Sequence, residues 1–311
     1  MRKIIFFITL FFVVCGINNH ATTQGQGMSK TTADGTVPAA LTKLARDIDE
    51  SVVNTWQKAL QVFERWGRKP GVERWDLKQL NLSSQQQANV IRDLTELGFI
   101  DAITPQKNTY DYAFILGATV KSMMQRLDYL VKQWNNGTRF SKLVFLTGER
   151  PLLADSDNFA ALMCQHNKQV CSITWDKKTL PNSESEAARL IHAYFNMPDE
   201  MRAIPVLFVS VPRTWQKEQA QWQRPNTAMT VKALLQKENL SSRTILSVSS
   251  QPYAQYQHLV LHNCLQSKQA DNVSIETIAA ATDNENLQYK LDAVWLWIKN
   301  QIAAIPKNIK A

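Results

Sequence analysis

Leu41, Leu44, Ile48, Val52, Trp56, Leu60 and Phe63 recur at three- and four-residue intervals, the period of an amphipathic helix. This stripe predicts one helix from Leu41 to near Gly67. A second helix is expected from the Ser83-Ser84 cap to Leu97, with Gly98 as its stop. Together they define a helical N-terminal segment over residues 41–105. Past Pro105 the texture changes, and short apolar runs alternate with helical periods. The runs lie at 112–117, 142–148, 170–174, 204–210 and 244–249, and helices are expected after them at 120–134, 158–166, 184–195, 227–237 and 253–265. A short strand around 273–277 and a long helix over 287–302 follow.

Apolar runs alternating with amphipathic helices imply βαβ units. Runs without polar alternation are strands covered on both faces. The fold class expected is therefore α/β: a doubly wound, mostly parallel, Rossmann-like sheet over 106–311, preceded by the helical segment. Such sheets bind ligands beyond the carboxyl ends of their strands. The positions to inspect are Gly117-Ala118-Thr119, Thr147-Gly148-Glu149-Arg150, Glu184 and Glu186, Val211-Pro212-Arg213, and the stretch from Ser249 to Tyr253.

The first residues read as an address. Arg2-Lys3 precede an apolar stretch over 4–14 and then small and polar residues, the layout of a secretory signal peptide. The expectation is a signal peptide over 1–21 with cleavage after Ala21, a flexible linker over 22–40, and a periplasmic or secreted body. Cys15 opens an alternative, lipoprotein anchoring, which the bulky Val14 disfavours; an uncleaved short anchor is a third option. Either form would associate the protein with an envelope through its N-terminus. Three cysteines remain, Cys164, Cys171 and Cys264. Cys164 and Cys171 are the closest pair, but the spacing fits no known framework, and the reading is three buried small apolar side chains.

The chain has 311 residues, and its 35 Lys and Arg against 27 Asp and Glu give a net charge of +8. That balance attracts anions. The excess is spread thinly, and even Arg65, Arg68, Lys69 and Arg74 are interleaved with Glu73 and Asp76. Neither a basic stripe nor a nucleic-acid module is present, so nucleic acid is set aside as a partner. Phosphate-loop, dinucleotide and nucleophile-elbow motifs are also missing. His258 and His262 stand four apart on an expected helix, but no acidic residue lies nearby, so no metal site is assigned.

Thr147-Gly148-Glu149-Arg150-Pro151 is the sharpest local feature. A strand ending in Thr-Gly lets backbone N–H groups approach an anion, and Arg150 supplies a fork for carboxylate or phosphate. The bland alternative is a turn with a surface ion pair. Residues 211–226 form a long polar loop with Arg213, Trp215, Trp222 and Arg224. It could cover a flat anionic ligand, or its tryptophans could pin it to the body.

Taken together, these junctions resemble the SanA–ElyC–YdcF group of bacterial α/β domains, over roughly 110–265. The residues that carry the likeness are the strand ending at Gly117, Arg126 on the following helix, Thr147-Gly148 closing the second strand, Glu184 and Glu186 opening a later helix, and Arg224-Pro225-Asn226-Thr227. The resemblance implies an envelope-associated protein with a pocket for a small anionic ligand, nucleotide-like compounds and S-adenosylmethionine included. Its cofactor is unknown. On that reading Gly117, Arg126, Thr147, Gly148, Arg150, Asn226 and Thr227 bind the ligand, and Glu149 and Glu184 are the acid/base candidates for a transferase or hydrolase acting on an envelope precursor. Many members carry His and Arg where this chain reads Ser250-Gln251-Pro252-Tyr253, so chemistry needing those groups is in doubt. The alternative is a non-catalytic protein that docks a partner through the helical segment.

Overall fold

The computed structural model describes residues 36–304 apart from 50, 70–71, 73–75, 153–156, 176–177, 218–219, 267–271 and 284–285. The expected signal peptide, Cys15 and most of the expected linker lie outside the described residues. No helix among the described residues is long and apolar enough to cross a membrane.

Two helices, α1 (Ala39–Asp49) and α2 (Trp56–Phe63), stand where one was expected. The break falls at Ser51-Val52-Val53-Asn54-Thr55, a run of poor helix formers. Val52, which the stripe placed on the apolar face, is 63% exposed, and Thr55 caps α2 by accepting from the Lys58 N–H. Helix α3 (Ser84–Glu96) begins at the expected Ser83, which forms a capping box with Gln86.

The centre is a five-stranded, all-parallel sheet. Its strands are β1 (Thr109–Leu116), β2 (Arg139–Gly148), β3 (Val206–Val211), β6 (Thr244–Val248) and β7 (Ser274–Ile278), in spatial order β3-β2-β1-β6-β7. Between β3 and β6 the chain inserts a two-stranded antiparallel hairpin, β4 (Thr214–Gln216) and β5 (Gln221–Gln223), inside the segment expected to be only a loop. Helices α4 (Val120–Asn135) and α6 (Glu184–Tyr194) cover one face, with Leu127, Leu130 and Ile191 packed on Ala113 and Ile115 of β1. Helices α8 (Thr227–Leu235) and α9 (Ala254–Gln266) cover the other, with Val231, Leu234 and Leu261 against Phe114 and Leu116. The sheet is doubly wound, and its order reverses between β1 and β6.

A third apolar cluster joins the two ends of the chain. Leu41 and Leu44 of α1, Phe63 of α2 and Leu94 of α3 pack against Leu291, Val294 and Trp297 of α10 (Leu287–Ala304). Trp297 meets Trp56 edge-on at 5.3 Å and Phe99 at 5.7 Å.

Two expectations are corrected between β2 and α6. The run at 170–174 is not a strand. Residues Lys168–Ser172 form a 3-10 turn directly after α5 (Phe159–His166), with Ile173 N–H donating to the Val170 carbonyl. That turn folds the chain back until the Cα atoms of Cys164 and Cys171 are 4.6 Å apart, and the two form a disulfide instead of packing as separate apolar side chains. Cys264 lies half-buried, outside that disulfide. A short helix, α7 (Asp199–Arg202), leads into β3.

Candidate functional site

Strands β1 and β2 end side by side, and bare backbone lets other groups come close there. A Cβ on Gly117 would stand 1.9 Å from Oε1 of Glu184, and one on Gly148 would stand 2.2 Å from the Pro225 ring. The chain itself fills both spaces. Glu184 is the first residue of α6. Its Oε1 accepts from the Gly148 N–H at 3.1 Å, and its Oε2 accepts from Arg150 Nε at 3.2 Å. Arg150 donates further to Asp157 Oδ2 at 3.0 Å and to the Ala118 carbonyl at 3.1 Å. The other oxygen of Asp157 accepts from the Val120 N–H at 2.7 Å, which fastens the cluster to the start of α4. All three charged side chains are buried.

Burial pushes the Glu184 carboxyl up, while Arg150, the Gly148 N–H and Arg126 pull it back. Burial works to lower Arg150, and the Asp157 and Glu184 carboxylates beside it override that and raise it. Arg126, on α4, donates through Nε to Ser250 Oγ at 3.0 Å and through Nη1 to the Gly117 and Leu116 carbonyls. It thus clamps the end of β1 to the segment after β6, over the point where the strand order reverses.

Above this floor opens a cleft of about 520 Å³. Three helices begin at its edge. Thr119 caps α4, Ser183 caps α6 and Asn226 caps α8, accepting from the N–H groups of Ser122, Glu186 and Met229. Each cap satisfies only part of the unpaired N–H set of a helix start, and the remainder carries partial positive charge. Arg68, Arg126, Arg150 and Arg224 line the cleft, and among the described residues Glu184 is its acidic lining side chain. Arg68 arrives from the segment after α2. Asp292 of α10 holds it, with Nε to Oδ2 at 2.8 Å and the backbone N–H to Oδ1 at 3.0 Å; Tyr253 donates to the same Oδ2 at 3.1 Å. Cations and helix starts aimed at one concavity make a field that attracts anions.

Of the residues expected to form the site, Gly117, Arg126, Gly148, Arg150, Glu184, Asn226 and Thr227 line this one cleft. Thr147 and Glu149 do not. Side chains alternate along a strand, so with Gly148 at the cleft its two neighbours face away. Thr147 Oγ1 is buried between Ser185 Oγ and the Val209 carbonyl, both at 3.0 Å. Glu149 is exposed and accepts from Ser210 Oγ. Sequence reasoning missed Asp157 and gave Arg68 no role in the site. Asp157 precedes the Asn158 cap of α5, a weak hint; Arg68 carried no local signal, because α10 positions it from far along the chain. His258 and His262 stack with ring centroids 6.1 Å apart, and no metal-capable group of three or more His, Cys, Asp or Glu side chains exists among the described residues.

Neither the protein-family models nor the curated proteins contain a match to this chain. Fold and site together define a class: a doubly wound, Rossmann-like α/β protein with a basic cleft at its topological switch point.

Proposed function

We propose that this protein binds a small anionic ligand of the phosphate-ester type in the cleft at the carboxyl edge of its sheet. The observation that carries the reading is that three helix N-termini and the exposed Arg224 meet at one open concavity, whose walls also carry Arg68, Arg126 and Arg150, each held in place by other groups of the protein. The likeness of its strand-end residues to the SanA–ElyC–YdcF group, and the signal-like start of the sequence, support placing this activity in a cell envelope, in the periplasm or outside the cell. No residue is assigned to turnover. Both oxygens of Glu184 are engaged by the floor, and Glu149 lies outside the cleft. The partner-docking alternative has less to draw on, since the apolar faces of α1–α3 are spent against α10 and, among the described residues, the helical segment gives the cleft Arg68 alone at its edge.

Thermal unfolding with inorganic phosphate and a panel of nucleotides tests this. A ligand at a hundred times its dissociation constant stabilises the fold by about 2.7 kcal/mol. Arg224→Ala and Ser122→Glu alter the cleft without opening the core. Glu at 122 also sits three residues after the Thr119 cap, where it completes a capping box. Both variants are expected to fold and to lose the stabilisation. Stabilisation that survives in both would overturn the reading.

A further inference from the structure

The β4–β5 hairpin carries the largest exposed apolar side chains among the described residues. Trp215 and Trp222 stand directly opposite each other on its two strands, so both indoles leave the same face. About half of each is accessible, and neither joins an apolar cluster of the body. Contiguous apolar surface left open on a folded body marks a contact site. Cations surround this one. Residues 211–226 hold Arg213, Lys217 and Arg224 against a single acid, Glu218, which lies outside the described residues. The Arg213 guanidinium stands 5.1 Å from the centre of the Trp222 ring, and Lys217 is exposed just after β4. Glu149, the exposed acid whose backbone N–H donates to the Val211 carbonyl before the arm, is engaged by Ser210.

We infer that this face docks on an anionic phospholipid surface, with both indoles in the headgroup layer and Arg213 and Lys217 against lipid phosphates. The inference is independent of the anion cleft and of the N-terminal address, since it concerns a surface of the folded body. Geometry selects the occupant. A sugar chain stacks on a flat ring with hydrogen-bonding side chains at its margin. Here the two rings meet at 66° and share no plane, and Arg213 already lies over Trp222. Strand alternation places Gln216 and Gln223 on the other face, where Gln216 Nε2 donates to Gln223 Oε1 at 2.7 Å. A stable protein interface needs about 800 Å² from each partner. An aromatic side chain supplies at most about 250 Å², so two half-exposed rings fall well short. A bilayer interface demands neither a common plane nor a large area. Tryptophan suits it because the ring is apolar and its N–H reaches the wet side. Each Lys or Arg beside the ring gains from the negative surface potential, about five-fold in attachment.

Hydrogen exchange of the full chain, read in peptides covering β4 and β5, tests the docking. It is measured in buffer, with phosphatidylcholine vesicles, and with vesicles of equimolar phosphatidylcholine and phosphatidylglycerol. Reading the hairpin itself separates its contact from any hold that the N-terminus has on the vesicle. Exchange is expected to slow by at least about five-fold on the anionic vesicles and by less than roughly two-fold on the neutral ones. Trp215→Ala/Trp222→Ala and Arg213→Gln/Lys217→Gln should each lose the slowing, relative to the same variant in buffer. Protection of β1, β2 and β6 in the same data checks that both variants keep the fold. A second reading keeps the hairpin aromatic: acyl-brominated lipid in the anionic vesicles should quench wild-type emission more than that of Trp215→Phe/Trp222→Phe. Equal quenching in those two proteins overturns the insertion of the indoles. Equal slowing on the two kinds of vesicle, or slowing that survives in Trp215→Ala/Trp222→Ala, overturns the assignment as well. Slowing by a chito-oligosaccharide but not by vesicles gives the face to sugar instead, and no slowing under any condition removes the lipid contact.

Discussion

The carboxyl edge of the sheet has two parts that invert the usual distribution of side chains. The cleft floor hides charge: Arg150, Asp157 and Glu184 are buried at the ends of β1 and β2. The β4–β5 hairpin beside it exposes aromatic surface, with Trp215 48% and Trp222 53% accessible. Both departures cost free energy when unpartnered. The floor is self-satisfied, each charged group meeting another within 3.2 Å, and its arginine is committed to the protein. Among the described residues, neither hairpin tryptophan belongs to an apolar cluster of the body. Charge at a strand end is therefore a poor guide to ligand contact by itself. What distinguishes a binding arginine here is exposure, which Arg224 has and Arg150 lacks.

The largest effect that tests this contrast is the loss of Arg150. Arg150→Ala leaves Asp157 and Glu184 as buried carboxylates without their shared cation, and removing one partner of a buried ion pair costs about 3–5 kcal/mol, a large share of the typical stability of a folded domain. Urea unfolding at neutral pH measures it. Adding Glu184→Gln to the same chain removes one stranded charge and should recover part of the loss. Arg224→Ala, on the exposed rim, should stay within about 0.5 kcal/mol of wild type. Equal costs for Arg150→Ala and Arg224→Ala would erase the distinction between floor and rim.

A half-buried polar group with no ion-pair partner among the described residues sharpens the comparison. His258, on α9, packs on His262, and its Nδ1 contacts Thr277 Oγ1 at 3.2 Å. Burial, reinforced by His262, lowers its pKa from 6.5 to about 4. The fold therefore favours the neutral ring, so its contribution to stability is complete above about pH 6.5 and is lost as the pH falls toward 4, on the order of 3 kcal/mol in total. Burial also lowers His166 and His192, so the informative quantity is the difference from a variant. Denaturant unfolding of His258→Gln between pH 7 and 4 should give a visibly flatter profile than wild type. Parallel profiles would show that His258 already titrates normally in the folded protein.

The strands were legible because a sheet covered on both faces demands uninterrupted apolar runs, and such runs stand out at β1, β2, β3 and β6. The turn at 168–172 was misread for the same reason. Val170, Cys171 and Ile173 imitate a short buried strand, while the disulfide that folds them onto α5 is a tertiary event with no local signature. The glycines were found, but their reason was not: Gly117 makes room for Glu184, more than sixty residues away in spacing that no periodicity encodes. Asp157 and Arg68 escaped for a similar reason, since their partners come from other elements and, for Arg68, from the far end of the chain. Thr147 and Glu149 shared a motif with Gly148 on paper, and the two-residue period of the strand turned both away from the cleft.

The smallest expected effect concerns the hairpin. Trp215 and Trp222 are direct cross-strand partners, with ring centroids 5.4 Å apart and planes at 66°, and the Arg213 guanidinium lies over Trp222 at 5.1 Å. Cross-strand aromatic pairs contribute roughly 0.2–1 kcal/mol to a sheet, and an exposed cation–π contact about 0.5–1 kcal/mol. Those contributions hold the hairpin together locally. They do not enter the three main apolar clusters, none of which includes either tryptophan. Trp215→Ala should therefore cost less than about 1 kcal/mol of global stability, while hydrogen exchange in β4 and β5 accelerates and the rest of the sheet stays protected. Phosphate binding should be unchanged, since neither ring lines the cleft. A global loss above about 2 kcal/mol would mean that the hairpin folds as part of the core, and the contrast between a rigid, charged floor and a locally held aromatic arm would fail at its second term.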